Sequence, residues 1–248
     1  MTPPAQDRMT VLVVGASGAT GRLLVEQLLD LGVSVRVIVR PTSALPESLA
    51  DRQGLTTIHA ILTEISDADM LEHVQGCDAV ASCLGHNMSF KGIYGQPRRL
   101  VTDATRRLCH AMAASKPEGS VKFVLMNTAG NRDRGLDERI SFAEKCAIGL
   151  VRVLLPPHVD NEQAADFLRV DVGQDHQQVE WVVVRPDTLT DAEMVTAYDC
   201  HRSPVRSAIF NAGKTSRINV AHFMAKLITD RETWAAWKGS MPVIYNRE

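Results

Sequence analysis

A glycine-rich turn between an apolar strand and an amphipathic helix constrains the fold of this chain more than any other feature. Residues 10–14 are a continuous β-branched and apolar run, typical of a strand buried on both faces of a sheet. The turn follows, and then a helix over residues 22–31 with leucines at helical spacing, which ends at Gly32. Residues 33–40 predict a second strand, so the chain begins with a βαβ unit.

We predict that the whole turn binds a dinucleotide; its residues are Gly15, Ala16, Ser17, Gly18, Ala19, Thr20 and Gly21. Gly15 permits a sharp turn, Gly18 lets a pyrophosphate approach the backbone, and Gly21 lets the helix pack close to the strand. The helix N-terminus offers N–H groups and the positive end of its dipole, and Ser17 and Thr20 can add hydroxyl donors. A purely structural turn is the alternative interpretation. No Gly-Lys-Ser/Thr sequence follows, which excludes a P-loop.

The end of the second strand favours NADP(H) over NAD(H). An NAD site usually has an acidic residue there to bind the ribose hydroxyls. This strand ends in Arg40, and the first acidic residue after it is Glu47. A guanidinium attracts the 2′-phosphate of NADP and can donate two hydrogen bonds to it. The alternative is that Arg40 is a solvated residue at the end of a strand.

Strands and helices continue to alternate along the chain. Further strands are predicted at residues 55–61, 78–83, 121–126, 180–185 and 242–245, and helices at residues 67–74, 97–115, 136–155, 160–170 and 220–229. This order predicts an α/β fold with a doubly wound, mostly parallel sheet, which is a Rossmann fold. We expect a disordered arm at residues 1–8 and a single NAD(P)-binding domain at residues 9–248, in which about 187–248 form an irregular substrate cap.

Composition limits the partners of the chain. The net charge is −2 over 248 residues, which argues against nucleic acid and anionic membranes as partners. No apolar run reaches the roughly 18 residues needed to span a bilayer. The five cysteines are scattered, with no spacing typical of a metal site, and predict reduced thiols in a cytoplasmic protein without a metal. We expect a small-molecule substrate and a monomer or homodimer.

Several segments together resemble the atypical short-chain dehydrogenase/reductases, in particular the NmrA-like and biliverdin-reductase-B-like NAD(P)H-binding group. The segments are the glycine turn, residues 83–85, the strand at residues 122–128, and Arg185 with Pro186. The resemblance implies an NAD(P)H site after the third, fourth, fifth and sixth strands. The contacts it adds to the turn and Arg40 are Leu62, Thr63, Cys83, Leu84, Gly85, Asn127, Arg185 and Pro186.

The Tyr-x-x-x-Lys pair of the wider superfamily is absent. Arg98 and Arg202 stand four residues after Tyr94 and Tyr198, and Tyr245 lies too near the C-terminus to have such a partner. His158 takes the place of the tyrosine, with Glu162 at the position of the lysine. Thr128 or the neighbouring Asn127 takes the serine-like position after the fifth strand.

Thr128 and His158 are therefore the predicted catalytic residues. Their alternative roles are a strand-end cap for Thr128 and a surface position at a helix N-terminus for His158. The loop at residues 86–95 is expected to line the nicotinamide pocket or to cover it as a lid, since ligands of open α/β sheets bind beyond the strand ends. We predict hydride transfer from NADPH to a quinone, flavin or carbonyl compound. The alternative is a non-catalytic redox sensor that binds the same dinucleotide.

Overall fold

Ten strands and nine helices follow one another in the part of the chain that the computed structural model describes: residues 8–86, 89–116, 118–136, 138 and 141–247. The predicted disordered arm, apart from Arg8, lies outside these residues. So do residues 87–88 of the predicted pocket loop and residues 137 and 139–140 of the predicted 136–155 helix.

Eight of the strands form one sheet. They are β1 Thr10–Val14, β2 Ser34–Val39, β3 Leu55–His59, β4 Ala79–Ser82, β5 Val121–Met126, β6 Val179–Pro186, β8 Tyr198–His201 and β10 Val243–Asn246. Their order is β3-β2-β1-β4-β5-β6-β10-β8. All pairs are parallel except β8 with β10. The order reverses direction between β1 and β4, where ligands of doubly wound sheets bind. The predicted fold class is confirmed.

Two helical layers cover the sheet. The helices are α1 Ala19–Asp30, α2 Glu47–Ala50, α3 Asp67–Val74, α4 Phe90–Tyr94, α5 Leu100–Ala114, α6 Phe142–Leu154, α7 Pro156–Asp166, α8 Arg217–Thr229 and α9 Arg231–Trp237. On one face α1 and α8 pack against Val11 and Val13 of β1. On the other face α3, α5 and α7 pack against Leu12 and Val14. The alternation explains why β1 is apolar at every one of these positions.

Five of the six predicted helices begin at other residues than expected, and those predicted from residues 22 and 220 begin three residues earlier, at Ala19 and Arg217. The helix predicted from Pro97 begins at Leu100, and the one predicted from residue 136 begins at Phe142. Ser141 caps the latter by accepting a hydrogen bond from the Glu144 N–H at 3.1 Å. The helix predicted from Asp160 begins at Pro156, because a proline in the first turn needs no N–H partner. It continues into a π-helical turn over Phe167–Val172.

The C-terminal quarter, which the sequence predicts to form an irregular substrate cap, is in part built into the main sheet and its core. Strands β8 and β10 extend the main sheet, and α8 packs on the core beside α1. Strands β7 Thr188–Thr190 and β9 Lys214–Ser216 form a separate two-stranded sheet next to the end of β6. The sequence does not predict β7, β8 and β9, which are three or four residues long and, unlike the equally short β4 and β10, contain few apolar residues. None of the described helices has both the length and the apolar character that a membrane span requires.

Helix α6 carries an apolar stripe, which the sequence predicts either to pack on the domain or to form a face between two copies of the chain. Phe142 is 81% exposed and Val153 is 78% exposed, and Cys146 and Leu150 are also exposed. Ile148 is buried on the other side of the helix. The prediction that this stripe packs on the domain does not fit these positions. The alternative, a face between two copies of the chain, stays a prediction.

Candidate functional site

The glycine turn after β1 lies directly against the end of β4. Gly15 has a φ of +78°, and a Cβ there would lie 2.6 Å from the carbonyl carbon of Cys83. A Cβ on Gly21 would lie 2.2 Å from the carbonyl oxygen of Gly15. Both glycines are therefore required by close backbone packing. Gly18 differs, because a Cβ there would meet only this same oxygen, at 3.2 Å, and Gly18 is exposed.

The middle of the glycine turn is open to solvent. Residues 17–19 are exposed, whereas Ala16 and Thr20 are buried, so the expectation of a hydroxyl donor at Thr20 does not fit its position. Gly18 is the N-cap of α1 and offers no side-chain acceptor to the helix. The first N–H groups of α1 are thus available to an anion at the helix N-terminus.

A cleft of about 580 Å³ opens where the strand order reverses. The turn and the ends of β2, β3 and β4 form its walls, and its volume lies in the range of small-molecule and cofactor sites. The structure brings together in this cleft many of the predicted cofactor-binding residues: Gly15, Ser17, Gly18, Arg40, Leu62, Thr63, Cys83, Leu84 and Gly85. Residues of the 86–95 loop, His86, Ser89 and Gly92, also line it.

Arg40 lies at the mouth of this cleft with an exposed side chain. Within the described part of the chain, no ion pair or hydrogen bond involves its guanidinium. Arg36, on the same strand, is engaged differently: its Nη1 donates to the carbonyl oxygens of His73 and Gln75 at 2.8 and 3.0 Å and so satisfies the end of α3. Of the two arginines, Arg40 is the one available to a ligand.

Arg107 forms hydrogen bonds to the segment that follows β3, which is one wall of the cleft. From α5 its guanidinium donates to the carbonyl oxygen of Leu62 at 2.7 Å and to that of Ile65, and it lies 3.2 Å from a carboxylate oxygen of Asp67. The sequence places Arg107 on a basic helix face typical of solvated residues, and no local pattern distinguishes it. Its role is visible only once α5 and the end of β3 are side by side.

Cys83 lines the cleft as an unreactive thiol. Its side chain is buried, and burial raises the pKa of the thiol to about 12. A thiol with that pKa stays protonated near neutral pH and is a poor nucleophile. Cys77 and Cys109 are buried too, and no disulfide joins the described cysteines.

His86, which lines the cleft, forms a buried pair with Asp160. The Nε2 of His86 lies 2.7 Å from Oδ2 of Asp160, and the two side chains are 5% and 1% exposed. The carboxylate also accepts the N–H groups of Val101 and Thr102 at 2.8 and 2.9 Å, so it caps α5 from α7. Burial by itself raises the pKa of Asp160, but the hydrogen bonds from His86, Thr102 and Val101 outweigh it and hold the pKa below its ordinary value.

A second cavity of about 240 Å³ lies beyond the ends of β5 and β6. Thr128 and His158, the two predicted catalytic residues, both line it. Its other residues are Gly130, Ile148, Val151, Asp187, Thr188, Ala208 and Ile209. A Cβ on Gly130 would lie 3.5 Å from Cε1 of His158 and 3.7 Å from Oγ1 of Thr128, so this glycine keeps the space between them open. Burial raises the pKa of Asp187 above its ordinary value, against the effect of N–H donors from Gly213 and Thr188.

His158 faces Glu162 on the same side of α7. Its Nε2 is buried and lies 3.4 Å from Oε1 of Glu162, within ion-pair distance but outside hydrogen-bond geometry. Glu162 is held by Arg152, whose Nε and Nη2 both donate to it at 2.8 Å. Burial raises the pKa of Glu162, but the close contact with His158 and the hydrogen bonds and charge of Arg152 dominate and lower it from 4.5 to about 2.

Arg185 has a structural position rather than the predicted place at the cofactor. Its side chain is fully buried, and its Nη2 lies 2.7 Å from Oε1 of Glu138. The other donors reach the carbonyl oxygens of Met241 at 2.6 Å and Asn131 at 2.8 Å. A guanidinium without water must use its donors on the protein, so Arg185 has none to offer to a ligand.

Asn127 and Pro186 are also turned inward. Asn127 is buried, and its amide donates to the carbonyl oxygen of Asn161 at 2.9 Å, which ties the end of β5 to α7. Its Oδ1 accepts the N–H of Thr128 at 2.9 Å. Pro186 is buried in register with Ile244 of β10. These two residues and Arg185 lie outside both cavities, and the cofactor contacts predicted for them do not fit their positions.

The three tyrosines are engaged away from the cleft. The Tyr94 hydroxyl donates to the carbonyl oxygen of Leu154 at 2.9 Å, and the Tyr198 hydroxyl lies 2.8 Å from Nδ1 of His222. The Tyr245 hydroxyl is buried against the core behind β10. No tyrosine of the described residues lines the cleft.

The NAD(P)H-binding family matches the chain over residues 15–231, which include the glycine turn, the cleft and the second cavity. The chain belongs to this family. The match confirms the NAD(P)H-binding part of the resemblance. The close packing of the glycines in the turn and the accessible N-terminus of α1, which follows the turn, are consistent with membership of this family.

Relatives and solved structures agree with this fold. A short-chain dehydrogenase/reductase of Veillonella parvula in complex with NADP is 13% identical with a TM-score of 0.68, over 96% of this chain and 94% of that one. A candidate NADH-flavin reductase of Streptococcus pneumoniae is 17% identical with a TM-score of 0.66, over 96% and 100%. An uncharacterized chloroplastic protein of Arabidopsis thaliana is 34% identical over 120 residues, which are 48% of this chain and 40% of that protein.

Proposed function

We propose that this protein is an NADPH-dependent reductase that acts on a small conjugated acceptor, such as a quinone, a flavin or a carbonyl compound. The observation that carries the proposal is the presence of two cavities along the edge where the parallel strands end. The larger one has the glycine turn and suits a dinucleotide. The smaller one has the predicted catalytic residues and suits an acceptor. When bound, the dinucleotide supplies the hydride, and the chain binds and orients both reactants.

Arg40 is the reason to propose NADPH rather than NADH. The guanidinium faces the cleft without a carboxylate partner among the described residues, and a 2′-phosphate would give it one. Glu64, beyond the end of β3, is the acidic residue that lines the same cleft, and it does not follow β2, where an NAD site has its acid. The complex of the Veillonella parvula neighbour with NADP is consistent with this choice.

The smaller cavity combines an apolar wall with a few polar groups. Ile148 and Val151 of α6 suit the flat apolar surface of a conjugated acceptor. The Thr128 hydroxyl can donate a hydrogen bond to an acceptor oxygen, and the His158 imidazole can give a proton near neutral pH. A ketone would demand a more strongly positioned acid, because its reduced form is an unstabilised alkoxide. We therefore favour acceptors whose negative charge is delocalised after reduction.

A redox sensor that binds NADPH without turning it over is the second candidate function. The absence of the Tyr-x-x-x-Lys pair favours it, since the usual proton donor is missing. The two functions differ in one respect that can be measured directly: a sensor binds the dinucleotide stoichiometrically and leaves it reduced.

NADPH oxidation measured with quinones, flavins and aldehydes separates the two functions. We expect steady oxidation with at least one acceptor class, and loss of both binding and oxidation in Gly18→Val, the matched variant with a blocked pyrophosphate site. Tight NADPH binding with no oxidation across the whole panel would contradict the reductase and favour the sensor. Absence of NADPH binding in the wild-type protein would contradict both.

A further inference from the structure

The segment between β3 and α3 forms one continuous wall of the dinucleotide cleft. All five residues from Ala60 to Glu64 line the cleft. Ile61 is 39% exposed and lies on this wall. An apolar side chain at the surface of a cleft can pack against the flat face of a purine base. The wall is therefore a surface that can contact one part of the dinucleotide.

The neighbouring parts of the cleft indicate which half of the dinucleotide meets this wall. The glycine turn at the N-terminus of α1 suits the pyrophosphate, and Arg40 at the end of β2 suits the phosphate on the adenosine ribose. Strand β3 lies beyond β2 in the sheet, on the side away from β4. We therefore expect the adenine base at the segment after β3, and the nicotinamide on the side of β4 and β5.

Arg107 of α5 connects this wall to the helical layer, and it is not itself among the residues that line the cleft. Its Nη1 donates to the carbonyl oxygen of Leu62 at 2.7 Å, and its Nη2 donates to that of Ile65 and, at 3.2 Å, to Asp67. No other hydrogen bond within the described part of the chain reaches either carbonyl oxygen. The contacts of this one guanidinium thus extend along the wall as far as the first residue of α3.

The backbone hydrogen bonds inside the wall are local. The N–H groups of Glu64 and Ile65 donate to the same carbonyl oxygen of Ile61, at 2.8 and 3.1 Å. These bonds fix the shape of the turn but not its position relative to α5. The buried side chain of Leu62 packs against the apolar cluster on this face of the sheet, and Arg107 adds the directional contacts. A planar guanidinium suits this task, because its donors are held in a fixed geometry.

We propose that Arg107 is a positioning residue for the adenosine half of NAD(P)H, which holds the wall after β3 in place before the ligand arrives. The inference rests on the dinucleotide site of the proposed function and is independent of the reduction. A wall that is fixed in the free protein spares binding the entropy cost of ordering it. NADH and NADPH share the adenine base, so Arg107 should raise the affinity for both, whereas Arg40 should distinguish between them.

Replacement of Arg107 by lysine tests the bridge while the positive charge is kept. A lysine ammonium can reach one carbonyl oxygen, but it lacks the planar fork that holds two. We expect the Kd of NADPH, NADH and ADP-ribose to rise on the order of 10-fold, measured by isothermal titration calorimetry. The Kd of reduced nicotinamide mononucleotide, which lacks the adenosine half, should stay almost unchanged. A merely structural role would not produce this difference between the two halves.

Arg106→Lys is the matched control, because Arg106 is the neighbouring residue of α5 and is exposed. This variant should bind all four ligands as the wild type does. Amide hydrogen exchange supplies a second measurement at the wall itself. In Arg107→Lys the amides of Glu64 and Ile65 should exchange faster, while those of the central strand β5 should keep their wild-type rates. Addition of ADP-ribose should restore protection at the wall.

Each result supports or overturns the positioning role. Equal rises in Kd for ADP-ribose and for reduced nicotinamide mononucleotide would overturn it, and so would faster exchange throughout the sheet. An unchanged Kd of ADP-ribose in Arg107→Lys would show that the contacts serve the fold alone. Absence of NADPH binding by the wild type would overturn the dinucleotide site together with this inference. NADPH binding without oxidation would contradict only the reductase and leave the role of Arg107 standing.

Discussion

Arg40 lies at the end of β2 with its guanidinium directed to the dinucleotide cleft. The substitution Arg40→Asp replaces an attraction for the 2′-phosphate by a repulsion. We expect NADPH affinity to fall about 100-fold, which corresponds to about 3 kcal/mol for charge-assisted hydrogen bonds. NADH affinity should change little. Fluorescence titration of both dinucleotides measures the ratio, and equal losses for the two would remove the basis for NADPH preference. Arg36→Asp is unsuitable as a control, because Arg36 holds the end of α3.

Gly18 is the glycine of the turn at which binding and folding can be separated. A side chain at Gly18 meets one backbone oxygen at 3.2 Å and otherwise projects into the space for the pyrophosphate, whereas one at Gly21 would lie 2.2 Å from that oxygen. We expect Gly18→Val to abolish NADPH binding with an almost unchanged melting temperature. Gly21→Val should destabilise the protein by about 1–3 kcal/mol or more through overpacking. Thermal unfolding with and without NADPH checks both, and unaffected binding in Gly18→Val would refute the role of the turn.

At the scale of elements, α7 connects the two cavities. Asp160 on one face of the helix reaches the dinucleotide cleft through His86, while His158 lines the second cavity and Glu162 pairs with Arg152. Residues two apart on a helix point to nearly opposite sides, so alternate positions of one helix can serve different cavities. Because α7 already begins at Pro156, both His158 and Asp160 lie within the helix and fall on these two faces.

The cap that α7 places on α5 makes a measurable contribution to stability. In Asp160→Ala the N–H groups of Val101 and Thr102 lose their acceptor in a buried position. We expect a loss of about 2–3 kcal/mol in the free energy of unfolding, measured by urea denaturation. Asp103→Ala on the same helix is the control: its carboxylate is 48% exposed and should contribute less than about 0.5 kcal/mol. Equal losses in both variants would contradict the capping role.

Glu162 makes the stability of this helix sensitive to acid. Its pKa is lowered from 4.5 to about 2 in the folded protein, so the folded carboxylate stays ionised where the unfolded chain already binds a proton. The stability it contributes is complete well above pH 4.5 and is lost as the pH falls towards 2. Urea unfolding at a series of pH values should therefore show a shallower acid loss in Glu162→Gln than in the wild type. Parallel curves would show that Glu162 is not responsible.

At the scale of the whole molecule, the buried Arg185–Glu138 pair joins β6 to the segment after β5 and to β10. Arg185→Met leaves the Glu138 carboxylate buried without its partner and should cost about 3–5 kcal/mol of folding free energy. Arg247→Met, which breaks an exposed pair with Asp199, should leave the free energy of folding almost unchanged. Chemical denaturation compares the two. A cost for Arg185→Met no greater than that of the exposed control would contradict a structural role for the buried pair.

The parts of the site that the sequence predicts are those built from neighbouring residues. The glycine turn, the strand before it and the basic residue at the end of β2 lie within one βαβ unit, and their spacing alone brings them into one cleft. The end of β4 joins them because Gly15 must pack on Cys83. The family resemblance, rather than a local pattern, predicts Thr128 and His158 as catalytic residues, and both line one cavity in the structure.

The predictions that do not fit concern side chains whose partners are distant. Arg185 lies near the end of a strand in the expected place, yet its guanidinium donates hydrogen bonds to Glu138, 47 residues away. The sequence indicates a solvated helix residue at Arg107, yet its guanidinium donates a hydrogen bond to the carbonyl oxygen of Leu62, 45 residues away. His86 is visible in the sequence only as a loop residue after β4. The signal that could have pointed to it is its position directly after Cys83, Leu84 and Gly85 at a strand end.

The sequence by itself determined that this chain forms a parallel sheet with a dinucleotide turn, because local periodicity and glycine placement require only residues within a few turns of one another. Only the tertiary structure decided which polar side chains line the two cavities and which form hydrogen bonds in the interior of the protein. The His86–Asp160 contact spans 74 residues and depends on α7 crossing the start of α5. A buried charge must pair with a group within about 3 Å, and the packing of whole elements determines which group that is. No local sequence pattern predicts this partner.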